Sequence, residues 1–259
     1  MHRLIRASRP LLLALATALA AELAIRLLEV PKWILPAPSA VAKALYETSG
    51  LLLGHTAATL GASAVGLLAS AATGMALGIA VFSNRALRAT VYPLLVASQS
   101  LPTIVVAPLL VLWFGFGMLP KVMLVVLACF FPICVAVVDG LSSVDPDLID
   151  LALNMGAKPW RLFWKVRWPA ALPSVFTGVR VSATYSIIAT VVSEWMGSQK
   201  GLGVYLTRSS HSFLTDRVFA VLFVIAGLSM AAFALVNYLA RRAAPWHYGT
   251  DTDVWEVER

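Results

Sequence analysis

Residues 120–139 read PKVMLVVLACFFPICVAVVD, and the only charged residues in this run are Lys121 and Asp139, one close to each end. A helix needs about 20 mostly apolar residues to cross roughly 30 Å of hydrocarbon, so the run predicts one transmembrane helix. Similar apolar stretches lie on both sides of it, at about 10–30, 57–82, 90–113, 173–195 and 217–240. Together they predict an all-α, polytopic membrane protein with about six transmembrane helices.

The composition agrees with a bilayer environment. Hydrophobic residues make up 59% of the chain and charged residues 13%, against about 25% charged residues in a typical soluble domain. The net charge of +7 would also suit a nucleic-acid-binding protein. The basic residues, however, lie in short clusters between the apolar stretches, which is the arrangement that orients helices in a membrane. We therefore expect a lipid bilayer around the chain and no nucleic-acid partner.

The distribution of Lys and Arg predicts which side of the membrane each segment faces. If the N-terminus is cytoplasmic, the cytoplasmic segments hold twice as many basic residues as the outer segments. The positive-inside rule then places both termini and the long loop 140–172 in the cytoplasm.

The first apolar stretch allows two interpretations. Glu22 and Arg26 interrupt it, but they are four residues apart and can pair on one face of a helix. Alternatively, three arginines, an apolar run and the small residues at 18–20 resemble a cleaved signal peptide. Apolar sequence that continues to Val30 favours a retained helix, and the sequence alone leaves the choice open.

We divide the chain into three parts. Residues 1–56 form the first transmembrane helix and a segment that lies along the outer membrane interface, where a mildly amphipathic run extends from Ala40 to Leu53. Residues 57–242 form the membrane core, and 243–259 form a short polar cytoplasmic tail.

The loop 140–172 reads GLSSVDPDLIDLALNMGAKPWRLFWKVRWPAAL. We expect one short helix that Asp145 caps and that ends at Gly156 in the left-handed conformation. A second short helix should cover 160–167 and stop at Pro169. The first helix would carry an apolar face, formed by Leu148, Leu151, Ala152 and Met155. Exposed apolar surface of this kind usually marks a partner site; the alternative is a loop that rests on the bilayer surface.

The same loop resembles the EAA motif of ABC-importer permeases. In that motif Glu-Ala-Ala is followed by Gly at the seventh place and by Ile-x-Leu-Pro at the seventeenth to twentieth places. This chain has Asp150-Leu151-Ala152, Gly156 and Val166-Arg167-Trp168-Pro169 at those places, and Leu151 and Trp168 depart from the motif. The resemblance implies a coupling helix that seats in a cleft of a cytoplasmic ABC ATPase dimer. The residues it assigns to coupling are Asp150, Leu151, Ala152, Gly156, Ala157, Pro159, Val166 and Pro169.

The resemblance extends from about residue 36 to 242 and is closest to the nitrate/sulfonate/taurine group of permeases. It is carried by the segments 35–39, 99–102, 107–109, 113–117, 131–132, 178–180 and 201–203, together with Pro173 and Glu194. The residues at 119–121 and 138–140 are similar to those of permeases for thiamin-pyrimidine precursors or riboflavin.

Several expectations follow from this resemblance. It implies a permease subunit of an ATP-driven importer in the bacterial inner membrane, with an extracytoplasmic solute-binding protein and a second permease copy. A homodimer is expected, with a heterodimer as the alternative. The solute is expected to be a thiamin pyrimidine precursor or riboflavin-like molecule, with sulfonate, taurine or nitrate next.

Catalytic chemistry is missing from the sequence. There is no G-x-x-x-x-G-K-[ST] loop for nucleotide phosphates, no nucleophile–base arrangement and no cluster of metal ligands. The two cysteines, Cys129 and Cys134, lie on different sides of one helix and are expected to be packing residues. We therefore predict a non-catalytic subunit without a cofactor, with ATP and magnesium bound by the partner ATPase.

Polar residues in two spans are candidates for the translocation path. Ser182, Ser186, Thr190 and Ser193 form one stripe on the fifth span; they either allow close helix packing or line the path with Tyr185. Gln99 and Ser100 give the third span a polar patch. Glu194, at the outer end of the fifth span, either pairs with an outer basic residue or helps to gate substrate access.

A secondary transporter that is not coupled to ATP is the alternative function. Such a protein would lack the ATPase-docking loop, would usually contain inverted repeats and would carry coupling carboxylates at the middle of the membrane. The sequence shows none of these features.

Overall fold

The computed structural model describes the backbone of residues 2–100 and 102–248, and the side-chain surroundings of 12–100 and 102–247. Most of the tail 243–259 therefore lies outside the described residues, as do the side chains of the N-terminal arginines. All regular structure in the described part is helical, which confirms the all-α prediction. The helices are α1 (His2–Leu27), α2 (Pro38–Glu47), α3 (Ser49–Ser83), α4 (Arg85–Ser98), α5 (Thr103–Phe114), α6 (Met118–Ser142), α7 (Pro146–Asn154), α8 (Pro159–Leu162), α9 (Trp168–Glu194), α10 (Leu202–His211), α11 (Thr215–Ala243) and α12 (Pro245–Tyr248), with a π-helical segment (Phe163–Arg167) between α8 and α9.

Among the described residues, four helical segments are long and apolar enough to cross a membrane: α3, α6, the continuous segment from α8 to the end of α9, and α11. The pair α4 and α5 forms a fifth candidate span if it is counted as one unit. The polytopic architecture is therefore as predicted, whereas the count of six is not reached by these criteria. The first predicted stretch, 10–30, falls largely on α1.

The third predicted span, 90–113, is not one continuous helix. α4 ends at Ser98, α5 begins at Thr103, and the two axes are bent by 96°. Pro102 lacks a backbone N–H, so it cannot donate a helical hydrogen bond, and it stands directly before the first residue of α5. The break therefore falls at a proline.

The core of the bundle is built by α3, α6 and α9, which pack along much of their lengths. Glycines allow this close approach. A Cβ atom on Gly74 of α3 would lie 2.6 Å from the carbonyl oxygen of Phe130 on α6, and one on Gly178 of α9 would lie 2.6 Å from Cβ of Ala136. Helices can approach this closely only where small residues line the contact.

The N-terminal part differs in detail from the predicted outer segment. The run from Ala40 to Leu53 is split between α2 and α3, because α3 begins at Ser49 instead of near residue 57. Glu22 and Arg26 form the predicted i,i+4 ion pair, at 2.6 Å. The same carboxylate accepts hydrogen bonds from the backbone N–H of Ser39, at 3.0 Å, and from its hydroxyl, at 2.7 Å. α1 is thereby tied to the start of α2.

Candidate functional site

The first half of the loop 140–172 is the helix that the sequence predicts. The Oδ1 atom of Asp145 accepts a hydrogen bond from the backbone N–H of Asp147 at 2.9 Å, which caps α7. At the other end Gly156 has φ +80°, and the N–H of Ala157 donates to the carbonyl of Ala152 at 3.0 Å. The cap and the left-handed glycine are therefore both confirmed.

The second half of the loop differs from the prediction, because Pro169 does not end a helix. α8, the π-helical segment and α9 run on as one continuous helix of 36 residues. Within the π turn the N–H of Trp168 donates to the carbonyl of Phe163, five residues earlier. Such a widened turn relaxes the clash between a proline ring and the carbonyl four residues before it. The loop therefore continues directly into one of the candidate membrane spans.

The two halves of this loop are anchored very differently. α7 contains no buried residue, and its apolar face is open: Leu151 is 57% and Met155 is 80% exposed. In the second half, Leu162 of α8 is buried at 7% exposure, and the guanidinium of Arg167 lies 5.0 Å from the ring centroid of Phe82 on α3. We refer to 145–157, which includes α7, as the coupling arm.

The residues assigned to coupling fall into two groups. Asp150, Leu151, Gly156 and Pro159 are exposed, whereas Ala152, Ala157, Val166 and Pro169 are half-buried. The exposed group lies on or beside the coupling arm, where a partner can reach it.

The opposite end of α9 carries a buried carboxylate. The side chain of Glu194 is fully buried, and it accepts hydrogen bonds from the hydroxyl of Thr59 at 3.0 Å and from the N–H of Gly203 at 2.9 Å. Lys121 of α6 is its ionic partner, with 3.6 Å between Nζ and Oε1. We call Glu194, Thr59, Lys121 and Gly203 the Glu194 network.

This network also fixes the segment that leads into α10. The N–H of Leu202 donates to the hydroxyl of Thr59 at 2.8 Å, and the N–H of Gly201 donates to Nδ1 of His55 at 3.0 Å. A Cβ atom on Gly201 would overlap the Glu194 carboxylate, so glycine is required there. The ammonium of Lys121 additionally donates to the carbonyl of Lys200 at 3.3 Å.

Of this network, the sequence identified Glu194, and pairing with an outer basic residue was one of its two interpretations; the ion pair with Lys121 agrees with that one. The sequence did not identify Thr59, Lys121 or His55 as neighbours, because these contacts join residues more than 70 positions apart. The available signal was the pair Gly201 and Gly203 shortly after a carboxylate.

The stripe of hydroxyl residues on α9 faces the interior of the bundle. Its four members are at most 7% exposed, and three of them donate to carbonyls of their own helix. Ser182 donates instead to the carbonyl of Cys129 on α6 at 2.9 Å. Close helix packing, one of the two interpretations of the stripe, describes these contacts. The stripe members are Ser182, Ser186, Thr190 and Ser193.

Tyr185 lies apart from the stripe and is 54% exposed. It lines a cavity of about 660 Å³ at the break between α4 and α5, a size within the usual range of ligand pockets. The lining includes Ser98, Gln99, Thr103, Phe130, Phe131 and Tyr185. The structure therefore brings Gln99 and Tyr185 together, and it leaves Ser100 exposed beside the break.

Comparisons with known proteins identify relatives of this chain. The family described as "Binding-protein-dependent transport system inner membrane component" matches residues 70–245. The chain is 36% identical over 247 residues to a formylaminopyrimidine transport permease protein of Halalkalibacterium halodurans, covering 95% of this chain and 98% of the relative. It is 34% identical over 218 residues to a riboflavin transport system permease protein of Chloroflexus aurantiacus, covering 83% and 81%.

A solved structure shares the fold. It shows inward-facing conformations of the MetNI methionine ABC transporter and matches with a TM-score of 0.66 at 19% identity, covering 74% of this chain and 95% of the matched chain.

Proposed function

Because this chain belongs to the family of binding-protein-dependent transport system inner membrane components, we propose that it conducts a small organic solute across the bacterial inner membrane when a separate ATPase drives its coupling arm. The chain is a multi-pass, non-catalytic permease subunit of an ABC importer. Its family membership removes the alternative of a secondary transporter.

The observation that carries the coupling proposal is the open apolar face of α7. Leu148 is 53%, Leu151 is 57% and Met155 is 80% exposed on one short helix that is capped at Asp145 and ended at Gly156. Burying a leucine or methionine side chain contributes about 1.5–3 kcal/mol. A partner that covers this face would therefore gain binding free energy from each of these side chains. We assign that partner role to a cytoplasmic ABC ATPase dimer.

The arm can transmit movement because Lys158 joins it directly to a helix that continues into a candidate membrane span. α8, the π-helical segment and α9 form one continuous helix, so a displacement of the arm acts on the helix whose other end carries Glu194. ATP-driven closure of the ATPase dimer would shift the bundle between inward- and outward-facing packings. ATP and magnesium belong to the partner in this proposal, and this chain binds no cofactor.

Two further partners complete the assembly. A second copy of this chain closes the open side of the cavity at the break between α4 and α5, which makes the permease a homodimer. A solute-binding protein docks on the outer face near 31–56, 114–119 and 196–216. Both termini then lie in the cytoplasm, in agreement with the distribution of basic residues.

The proposed solute is a thiamin pyrimidine precursor or a riboflavin-like molecule. Support comes from the relatives of Halalkalibacterium halodurans and Chloroflexus aurantiacus, whose names state formylaminopyrimidine and riboflavin transport.

Reconstitution of the full chain in proteoliposomes with its ATPase and binding protein tests the proposal. We expect solute uptake that requires ATP hydrolysis and is blocked by vanadate. A cysteine in place of Met155 should cross-link to the ATPase, and the same substitution at the exposed Leu68, near the middle of α3, should not. Uptake that follows the membrane potential without ATP hydrolysis would contradict the assignment.

A further inference from the structure

The cavity at the break between α4 and α5 has a lining that, among the described residues, is polar and aromatic but uncharged. Its described lining contains aromatic rings, an amide and hydroxyl groups, and no charged side chain. Building on the proposed function, we propose that this cavity holds the solute in transit and favours an uncharged, planar heteroaromatic ring over an organic anion. Gln99 and Tyr185 are the side chains that we assign to this selection.

Once a second copy closes the open side of the cavity, as proposed above, an organic anion would lose its water without gaining a cation from the described lining. Transfer of an unpaired charge into an apolar site is strongly unfavourable. The nearest basic residue along α9, Arg180, lies five positions before Tyr185, which places it about 140° around the helix. Its guanidinium donates to the side-chain oxygen of Asn237 on α11 at 3.2 Å, and Arg180 does not belong to the described lining of the cavity.

The helix ends at the break do not replace the missing cation. The N-terminus of α5 would attract an anion through its dipole, but the C-terminus of α4 meets the same cavity with the opposite sign. Ser98, the last residue of α4, and Thr103, the first of α5, both line it. The two partial charges oppose each other, and the cavity has no fixed preference for either sign.

A neutral heteroaromatic ring matches the remaining groups. Phe130, Phe131 and Tyr185 offer ring faces and edges for stacking, which contributes about 0.5–1.5 kcal/mol per aromatic pair. The amide of Gln99 presents both a donor and an acceptor. Neither this amide nor the Tyr185 hydroxyl has a hydrogen-bond partner among the described residues, whereas the Ser98 hydroxyl already donates to the carbonyl of Leu95 at 2.6 Å.

A cysteine at Ser98 provides a reporter for this cavity. Ser98→Cys is nearly isosteric and leaves Gln99 and Tyr185 in place, while the native Cys129 and Cys134 are fully buried. The full chain, purified with its ATPase in lipid nanodiscs, is treated with a water-soluble maleimide. We expect formylaminopyrimidine and riboflavin to slow labelling about threefold at twice their Kd, and ethanesulfonate at the same concentrations to leave the rate unchanged.

Matched variants separate the cavity from other effects. Ser142→Cys is an exposed position at the cytoplasmic end of α6, and no probe should alter its labelling. In the Ser98→Cys background, Gln99→Leu and Tyr185→Ala should remove the protection, and Tyr185→Phe should retain most of it because the ring remains. Protection by ethanesulfonate but not by the two rings would overturn the proposal, as would equal rates with all probes.

This assay does not depend on coupling. It is run without ATP, so the cavity proposal can fail while ATP-driven uptake succeeds, and the reverse outcome is equally visible.

Discussion

At one end of α9 the carboxylate of Glu194 is fully buried and bonded to α3, α6 and the start of α10. At the other end, beyond the π-helical segment, α7 contains no buried residue and leaves Met155 80% exposed. The Glu194 network therefore has its polar groups paired within the chain, whereas the coupling arm has apolar surface that no described part of the chain covers.

This difference separates residues that stabilise the helix bundle from residues that are available to bind a partner. A buried, fully paired carboxylate holds several helices in one arrangement, and its loss is felt by the whole bundle. An open apolar helix contributes little to the stability of the isolated chain, because its apolar surface is buried only when a partner binds. Changes at the Glu194 network should therefore alter stability first, and changes in the coupling arm should alter transport alone.

The largest expected effect on stability comes from Glu194→Ala. Removal of one partner from a buried ion pair typically destabilises by about 3–5 kcal/mol, and here it also removes the anionic partner of Lys121 and the acceptor of the Gly203 N–H. We expect a clearly lower midpoint of thermal unfolding in detergent and less protein in the membrane. Glu194→Gln keeps an acceptor oxygen for Thr59 or Gly203, so its midpoint should fall less than that of Glu194→Ala. Equal midpoints for Glu194→Ala and the unmodified chain would show that the network does not hold the bundle together.

The largest expected effect on transport without a change in stability comes from Gly156→Val. At φ +80° a β-branched residue is a conformational outlier, and strain of about 1–3 kcal/mol should displace the end of α7 from its partner. ATP-driven uptake should be lost, and the thermal midpoint should stay unchanged. The matched control is Gly227→Val, because a Cβ atom added at either glycine would meet open space but Gly227 has no positive φ. Normal uptake by Gly156→Val would remove the role given to the coupling arm.

A smaller effect is expected from Leu151→Ser, which weakens the apolar face of α7. Loss of roughly 1.5 kcal/mol of burial against the ATPase corresponds to about a tenfold weaker association. The affinity of the purified chain for its ATPase, measured by biolayer interferometry, should fall by that factor. Leu153→Ser is the control, because Leu153 is also on α7 and 47% exposed but lies off the face formed by Leu148, Leu151 and Met155. Equal losses for both variants would mean that the arm has no specific docking face.

The sequence predicted the coupling arm better than the Glu194 network. The cap at Asp145 and the turn at Gly156 depend on residues within a few positions of each other, so local rules recover them. The prediction that Pro169 ends a helix was wrong. The π turn before it accommodates the proline ring within a continuous helix, which local sequence rules do not anticipate. The roles in coupling stay predictions that the experiments above test.

The Glu194 network and the cavity depend on tertiary packing that periodicity does not encode. Thr59 and Glu194 are 135 positions apart, and only the fold brings them together. Likewise, Gln99 and Tyr185 were each noted as polar residues in apolar spans, but their meeting in one cavity requires the 96° bend between α4 and α5. The sequence therefore identified Glu194, Gln99 and Tyr185 as polar residues of interest, and the structure showed which residues lie next to them.

The smallest expected effect comes from Asp145→Ala, which removes a single hydrogen bond at the start of the coupling arm. The Asp145 carboxylate accepts from the N–H of Asp147 at 2.9 Å, and loss of an N-cap typically destabilises a helix by about 0.5–2 kcal/mol. α7 has only nine residues and no buried side chain, so fraying should lower the population of the docking-competent arm. We expect ATP-driven uptake to fall a few-fold, with an unchanged thermal midpoint because the Glu194 network is untouched. Asp145→Asn retains a capping oxygen and should keep nearly normal uptake, which separates the cap from the negative charge. A lower thermal midpoint for Asp145→Ala would instead show that the arm contributes to folding of the bundle, and the contrast between the two ends of α9 would then fail.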